Sequence, residues 1–203
     1  QDRGEQQDRL REEFEKVITG RQVSCVFQPI VGLDDYAVLG YELLARGPVA
    51  SELHRPDALF DVARDEGRVS DLDRLCRLMA ARGSAKLPAR YLRFINTEPV
   101  TLFFQSHDDL FVQEFVDAMA PELRELTVIE LTENSVIDDF DYMRDVVRRL
   151  RAHGFRIAID DAGAGYAGLQ TMVEIEPDFI KLDRSLIRKL DESMVKQKLV
   201  RTL

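Results

Sequence analysis

Cysteine, histidine and tryptophan are scarce in this sequence of 203 residues, which has two cysteines, three histidines and no tryptophan. Cys25 and Cys76 are too few and too far apart for a disulfide framework, so we expect two buried, reduced thiols. The three histidines, at positions 54, 107 and 153, do not have the spacing of metal ligands. A zinc site built from histidine is therefore not expected.

Long apolar runs are also absent, since no stretch approaches the ~20 residues that a membrane helix needs. The first 16 residues are highly charged and contain no apolar signal core. We therefore expect a cytoplasmic location and no membrane contact by this segment. Basic residues are outnumbered, and the net charge of −9 argues against binding to a DNA or RNA polymer. A small phosphate ligand stays possible if divalent cations reverse the sign of the charge locally.

The composition, 45% hydrophobic and 32% charged, is typical of one soluble globular domain. Residues 1–20 form an amphipathic pattern with apolar residues at helical spacing, and Gly20 ends it. We predict that this segment is a linker helix that enters the domain from a regulatory module. A simple N-terminal cap helix fits the same pattern equally well.

After Gly20, short apolar runs alternate with helical patterns. The runs that predict strands are 23–30, 37–44, 91–95, 126–131, 155–159 and 178–182. The patterns that predict helices are 56–66, 72–81, 110–119 and 142–152, with Gly67, Gly83 and Gly154 as stop signals. This alternation indicates a parallel sheet that is buried on both faces. The short Gly/Asp turn at 31–36 predicts an antiparallel hairpin for the first two strands.

Both an open doubly wound sheet and a (β/α)₈ barrel fit this alternation. A barrel collects its active site from the ends of many strands, whereas a doubly wound sheet concentrates it at one switch point. Several predicted strands here end in a residue suited to chemistry, which favours the barrel. No glycine-rich fingerprint follows the first strand, so a dinucleotide-cofactor site or a P-loop is poorly supported. We predict an α/β fold, a TIM-like barrel with about six of its eight strands present.

The predicted strand ends carry a set of polar residues, namely Gln28, Glu42, Asn96, Glu130, Asp160, Asp161 and Lys181. Carboxylate and amide oxygens suit Mg²⁺, Mn²⁺ or Ca²⁺ better than zinc or copper. Two such ions about 3.5–4 Å apart clamp the attacking and leaving oxygens of a phosphoryl displacement. Each residue also has an ordinary structural explanation, as a helix cap, a turn residue or half of an ion pair. Their joint occurrence at successive strand ends favours the metal site.

Six motifs together resemble the EAL family of cyclic di-GMP phosphodiesterases. They are Phe27–Val31, Tyr41–Arg46, Phe94–Asn96, Ile129–Glu133, Ile159–Tyr166 and Pro177–Asp183. In this order they are similar to the family's opening strand and to its E-x-L-x-R, F-x-N, E-[LI]-T-E, D-D-F-G-T-G-Y and P-D-x-[IL]-K-[IL]-D motifs. The resemblance covers positions 21–203, and the motifs occur in order and at compatible spacing.

The resemblance implies hydrolysis of cyclic di-GMP to linear pGpG with two ions of Mg²⁺ or Mn²⁺. It implies metal ligands at Glu42, Asn96, Glu130, Asp160 and Asp161. It implies catalytic roles for Lys181, which would hold the nucleophilic water, for Glu42, and for Glu133, which would steady the loop at 162–169. Gln28 and Arg46 would contact the dinucleotide, the arginine at a phosphate. A homodimer and an upstream sensor or GGDEF-type module are further expected partners.

Two features depart from the family pattern. The loop after the fifth strand reads Ala-Gly-Ala-Gly from Ala162 onward, where the family has Phe-Gly-Thr-Gly. The family also continues with two more strands, so we interpret 21–203 as an EAL domain that lacks its last two strands. A non-catalytic cyclic di-GMP receptor or interaction module is therefore an alternative function. An unrelated metal-dependent barrel lyase acting on an enolate is a third, although it would not explain the joint motifs.

Overall fold

A computed structural model describes residues 2–98, 110–132, 139–163 and 168–202 of the chain. The strands are β1 (Ser24–Val31), β2 (Val38–Arg46), β3 (Leu92–Thr97), β4 (Thr127–Thr132), β5 (Arg156–Ala162) and β6 (Phe179–Leu182). The helices are α1 (Asp2–Thr19), α2 (Pro56–Asp65), α3 (Val69–Ser84), α4 (Leu110–Ala118), α5 (Pro121–Arg124), α6 (Phe140–Ala152), α7 (Gly168–Ile175), α8 (Arg184–Ile187) and α9 (Met194–Thr202). A 3₁₀ turn at Glu52–His54 precedes α2.

The six strands form one sheet in the order of the sequence, from β1 to β6. β1 and β2 pair in antiparallel fashion, and each later pair is parallel. The predicted hairpin and all six predicted strands are confirmed, with boundaries that shift by at most three residues. The sheet is strongly curled, because the rings of Phe94 on β3 and Phe179 on β6 lie 5.5 Å apart although two strands separate them.

The alternation of side chains along each strand divides the core into two layers. Residues such as Ile95, Ile129 and Ile157 point outward and pack with the helices in the largest hydrophobic cluster. The inner face of the half-barrel carries a smaller cluster of Phe94, Val128 and Ala158, against which Phe179 packs. Both faces are therefore buried, as the continuous apolar runs predict.

Helix α1 packs directly against the rest of the domain. The side chains of Phe14 and Val17 are fully buried in a cluster with Leu53, Leu59 and Leu72, which come from the 3₁₀ turn, α2 and α3. A linker and a cap helix would both bury these residues, so the linker interpretation stays a prediction. None of the described helices is both long and apolar enough to cross a membrane.

The predicted helix stops are confirmed at two of three glycines. Gly67 and Gly154 follow helix ends with φ of +64° and +94°, a conformation that side chains with a Cβ disfavour. Gly83, in contrast, lies within α3, and a Cβ built there would stand 2.4 Å from Sγ of Cys25. This glycine is therefore a packing residue between α3 and β1. Cys25 and Cys76 are both free thiols and partly buried, and burial raises the pKa of each.

Candidate active site

The polar residues of the sheet's inner face follow its apolar residues along each strand. The apolar residues Phe94, Val128, Ala158 and Phe179 are each followed two positions later by Asn96, Glu130, Asp160 and Lys181. Residues two apart on a strand share a face, so the same face changes from apolar to polar toward the carboxyl ends of the strands. Glu42 joins the set from β2, directly opposite Gln28 in the antiparallel register.

Lys181 is the centre of this polar group. Its Nζ lies 2.6 Å from Oε1 of Glu130, 3.0 Å from Oδ2 of Asp160 and 3.3 Å from Oε2 of Glu42. Each of the three carboxylates also offers an oxygen within 4.8 Å of the other two. β2, β4, β5 and β6 thus meet at one point, which requires the curled sheet because β2 and β6 are not neighbours within it.

The electrostatics of the group leave it short of positive charge. Burial raises the pKa of Glu130 to about 8, with Glu42 and Asp160 adding to the effect and Lys181 opposing it. For Lys181, burial lowers the pKa, but attraction to Glu130, Glu42 and Asp160 outweighs it and the net pKa is raised. One ammonium faces three carboxylates, so the group favours a further proton or a cation.

The donor set fits a divalent cation. Oε2 of the fully buried Glu130 has no hydrogen-bond partner among the described residues, which is costly for a buried oxygen. Oε1 of Glu130 lacks hydrogen-bond geometry as well, and its contact with Lys181 is an ion pair. Nδ2 of Asn96 donates to Oε1 of Glu42 at 2.9 Å, which fixes that carboxylate and leaves the amide oxygen as a potential ligand. Hard oxygen donors of this kind suit Mg²⁺ or Mn²⁺.

A β-bulge separates the two neighbouring aspartates. Ile159 pairs with Ile180 and Ala162 with Leu182, so β5 holds one more residue than β6 over this stretch. Asp161 takes up the extra length with φ of +54°, and its N–H donates to Oδ1 of Asp160 at 2.9 Å. Asp160 consequently faces the cluster, whereas Asp161 is exposed outside the group of three carboxylates. Desolvation, followed by repulsion from Asp160, raises the pKa of Asp161.

The remaining predicted site residues lie at the margin or outside the described structure. Gln28 is exposed on β1, where its register places it beside Glu42. Arg46 ends β2, and its Nη1 donates to the carbonyl oxygen of Ala45 at 2.7 Å rather than to the cluster. Glu133 and the loop residues 164–167 lie outside the described residues.

One residue beside the site was missed by the sequence analysis. Asp73 of α3 is buried, pairs with Arg77 and accepts a hydrogen bond from the backbone N–H of Glu98 just after β3. The available signal was an acidic residue between Leu72 and Leu75, on the apolar face of a helix, with an arginine four positions later. That spacing also occurs in ordinary surface ion pairs, so it did not single out the residue.

The carboxylates and the lysine lie at the carboxyl ends of the strands of a half-barrel. Enzymes with a (β/α)₈ barrel have their active sites at this end of the barrel. The chain matches the EAL domain family across residues 8–203 and belongs to that family. This agrees with the motif resemblance, although the match begins inside α1 rather than after it.

Among curated proteins, the chain is similar to two from Escherichia coli K12. It is 28% identical over 178 residues to the blue light- and temperature-regulated antirepressor BluF, covering 87% of this chain and 43% of BluF. It is 29% identical over 185 residues to the cyclic di-GMP phosphodiesterase PdeF, covering 87% of this chain and 24% of PdeF. The chain therefore spans less than half the length of either relative.

Solved structures of the same family share the fold. A Klebsiella pneumoniae BlrP1 complex with calcium and cyclic di-GMP superposes with a TM-score of 0.75 at 31% identity, over 90% of this chain and 45% of that one. The Xanthomonas citri FimX EAL domain superposes with a TM-score of 0.81 at 18% identity, over 99% of this chain and 79% of that one. The predicted barrel class, with its antiparallel first strand pair, is thereby confirmed.

Proposed function

We propose that this domain hydrolyses one phosphodiester bond of cyclic di-GMP to give linear pGpG, with Mg²⁺ or Mn²⁺ as cofactor. The observation that carries the proposal is the meeting of Glu42, Glu130 and Asp160 around Lys181 at the carboxyl ends of the strands. Family membership and relatives named as cyclic di-GMP phosphodiesterases support the substrate. The BlrP1 complexes, which contain calcium or manganese with cyclic di-GMP, support the class of cofactor.

The proposed ligands are the strand-end oxygens of Glu42, Asn96, Glu130, Asp160 and Asp161. Divalent cations held there would neutralise charge on the phosphodiester and activate a water molecule for attack. Asp160 and Asp161 diverge at the bulge, so the two carboxylates are suited to different positions in a two-ion site. The family resemblance adds one further glutamate ligand on a later strand.

The chain's own residues hold protons and charge in place. Lys181 keeps its proton because three carboxylates surround it, so its ammonium would orient the attacking water and offset negative charge on the phosphate. Asn96 fixes the carboxylate of Glu42 through its amide N–H. Gln28, opposite Glu42 in the strand register, and Arg46, at the end of β2, would contact the dinucleotide, with the guanidinium paired to a phosphate. Glu133 would steady the loop that follows β5.

The proposal is tested by incubating the chain with cyclic di-GMP and Mg²⁺ or Mn²⁺ and following pGpG by chromatography. Glu42→Gln removes one ligand charge, and Glu122→Gln is the matched control because Glu122 is exposed on α5. We expect turnover that is lost in Glu42→Gln and kept in Glu122→Gln. Equal turnover in both variants, or none in the wild type, would contradict the proposal. Because the family pattern includes two further strands, an extended chain that carries them is assayed in parallel.

A second function, that of a cyclic di-GMP receptor acting through protein contacts, is favoured by one comparison. BluF, which matches 87% of this chain, is named as an antirepressor and not as a phosphodiesterase. Against it stands the retention of every predicted ligand that the structure describes. Binding of cyclic di-GMP at micromolar concentrations without any pGpG, in the presence of Mn²⁺, would establish the receptor instead.

A further inference from the structure

Helix α3 contains a buried ion pair that the proposed chemistry does not use. Nε of Arg77 lies 2.9 Å from Oδ2 of Asp73, and both side chains are only 3% exposed. The two residues are four positions apart, with the acid nearer the N-terminus, which is the favourable orientation on a helix. Charges are retained in a protein interior when they are paired and hydrogen-bonded. Arg77 therefore holds the carboxylate of Asp73 in one orientation.

The other oxygen of Asp73 connects α3 to the end of β3. Oδ1 accepts a hydrogen bond of 3.1 Å from the backbone N–H of Glu98. Thr97 is the last residue of β3 in register with β4, so Glu98 lies just beyond the ladder. The next residue is Pro99, which has no backbone N–H. The Glu98 amide is thus the first backbone donor beyond the ladder, and the residue that follows it in the sequence offers none.

Asn96 lies two residues before Glu98, so its position depends on how the end of β3 is held. Its amide donates to Oε1 of Glu42 and so connects β3 to the carboxylate cluster. A cavity of about 190 Å³ is lined by Asp73, Asn96, Thr97 and Glu98 together with apolar residues. Among the residues that the structure describes, side-chain packing therefore leaves space on this side of the strand end, and a loosely packed strand end opens more readily.

We propose that Asp73, oriented by Arg77, is a positioning residue that fixes the end of β3 and thereby the amide of Asn96. Its consequence for catalysis rests on the proposed function, since a displaced Asn96 would supply a poorer ligand and would release Glu42. Loss of residues that orient metal ligands lowers metal affinity or activity by about 10–100-fold. The positional effect itself does not require that the protein bind a metal.

The test uses a readout that is independent of activity. The chain contains only two asparagines, Asn96 and Asn134, so labelling asparagine with ¹⁵N gives two pairs of side-chain amide signals. Asn134→Ser identifies the pair that belongs to Asn96. These signals are recorded without metal for the wild type, Asp73→Ala, Asp73→Asn and Asp71→Asn. Each Asp→Asn variant adds one further pair of signals, which is recognised by its absence from the wild-type spectrum. Asp71 is the control because it is exposed on the same helix, in a surface ion pair with Arg68.

We expect the Asn96 signals to move or broaden in Asp73→Ala, and to stay in place in Asp73→Asn and Asp71→Asn. Both Asp73 variants lose the charge beside Arg77, and only asparagine keeps an acceptor for the Glu98 N–H, so their difference isolates positioning from general destabilisation. The Mn²⁺ dissociation constant should rise about 10–100-fold in Asp73→Ala and less than about threefold in Asp73→Asn. Unchanged Asn96 signals in a folded Asp73→Ala would overturn the proposal.

Failure of the proposed function gives a different result. If the wild type binds no Mn²⁺ and the Asn96 signals still respond to Asp73→Ala, the positioning role stands and the hydrolase fails. For the case in which Asp73→Ala does not fold, hydrogen exchange in the wild type is the second measurement. The Glu98 amide must then exchange as slowly as the other amides of β3. Exchange at the rate of an unprotected amide would overturn the proposal without any variant.

Discussion

Lys181 on β6 reaches Glu42 on β2 across the half-barrel, with Nζ and Oε2 3.3 Å apart. Three strands lie between β2 and β6 in the sheet, so this contact exists only because the sheet is curled. The same ammonium also contacts Glu130 and Asp160, and it is the shared partner of all three carboxylates. The first two predictions follow from this arrangement of three carboxylates around one lysine ammonium.

Replacement of Lys181 by methionine removes this partner and leaves an unbranched, uncharged side chain that is one atom shorter. We expect turnover to fall by about 100-fold or more, because a charge aimed at the reacting group is lost. We also expect the metal-free protein to lose about 3–5 kcal/mol of unfolding free energy, as when one side of a buried ion pair is removed. Lys189→Met, at an exposed ion pair with Glu192, is the control and should change stability by less than about 1 kcal/mol. Urea unfolding and the pGpG assay measure the two effects.

Glu130 makes the stability of the metal-free protein depend on pH. The pKa of its carboxyl is raised from 4.5 to about 8 in the folded state, so between these values the folded chain binds a proton that the unfolded chain has lost. Stability from this residue is complete below about 4.5 and declines as the pH rises through about 8. We expect urea unfolding to report a loss of a few kcal/mol between pH 5 and pH 9. In Glu130→Gln this decline should be much smaller, and an equal decline in both proteins would contradict the assignment.

Asp161 combines a backbone requirement with a proposed ligand role, and two substitutions separate them. Its φ of +54° is disfavoured for most residues and easy for glycine. We therefore expect Asp161→Gly to stay within about 1 kcal/mol of the wild type in stability and to lose turnover as the carboxylate is lost. Asp161→Val should lose turnover and also cost more than about 1 kcal/mol, because a β-branched residue is strained at this φ. Full activity of Asp161→Gly would remove this residue from the ligand set.

Gly83 and Cys25 should be energetically coupled. A Cβ at position 83 would stand 2.4 Å from Sγ of Cys25, so Gly83→Ala is expected to cost about 1–3 kcal/mol by overpacking. Removal of the sulfur in Cys25→Ala should recover much of that cost, which a double-mutant cycle measures. Gly4→Ala in α1 is the control, since a Cβ there meets nothing within 4 Å and alanine favours the helix. Additive effects of the Gly83 and Cys25 substitutions would disprove the coupling.

The sequence predicted most helices and strands because apolar periodicity and turn residues act over a few neighbouring residues. The apolar runs gave all six strands, and the Gly/Asp turn gave the antiparallel pair of β1 and β2. The helical patterns gave α2, α3, α4 and α6, whose apolar faces repeat over two or more turns. Helices α5, α7 and α8 were not predicted. α5 and α8 have four residues each, and one turn is too short to show a period.

The sequence predicted which residues form the candidate site, but not how they are arranged. The motifs named Glu42, Asn96, Glu130, Asp160 and Lys181, and the structure brings these five together. The bulge that turns Asp161 away from Asp160 was not foreseen, because strand register depends on the partner strand as well as on the sequence of β5. The metal and catalytic roles of these residues stay predictions, as do those of Gln28, Arg46 and Glu133.

By itself, the sequence determined which face of each strand is polar at its end, since side chains alternate with a period of two whatever the strand pairs with. It also determined the membership of the EAL family through the order of its motifs. Only the tertiary structure decided that Lys181 meets Glu42, that Asp73 holds the Glu98 amide, and that Gly83 makes room for Cys25. Each of these contacts joins residues far apart in the chain, and their distance depends on how the sheet curls and how the helices pack upon it.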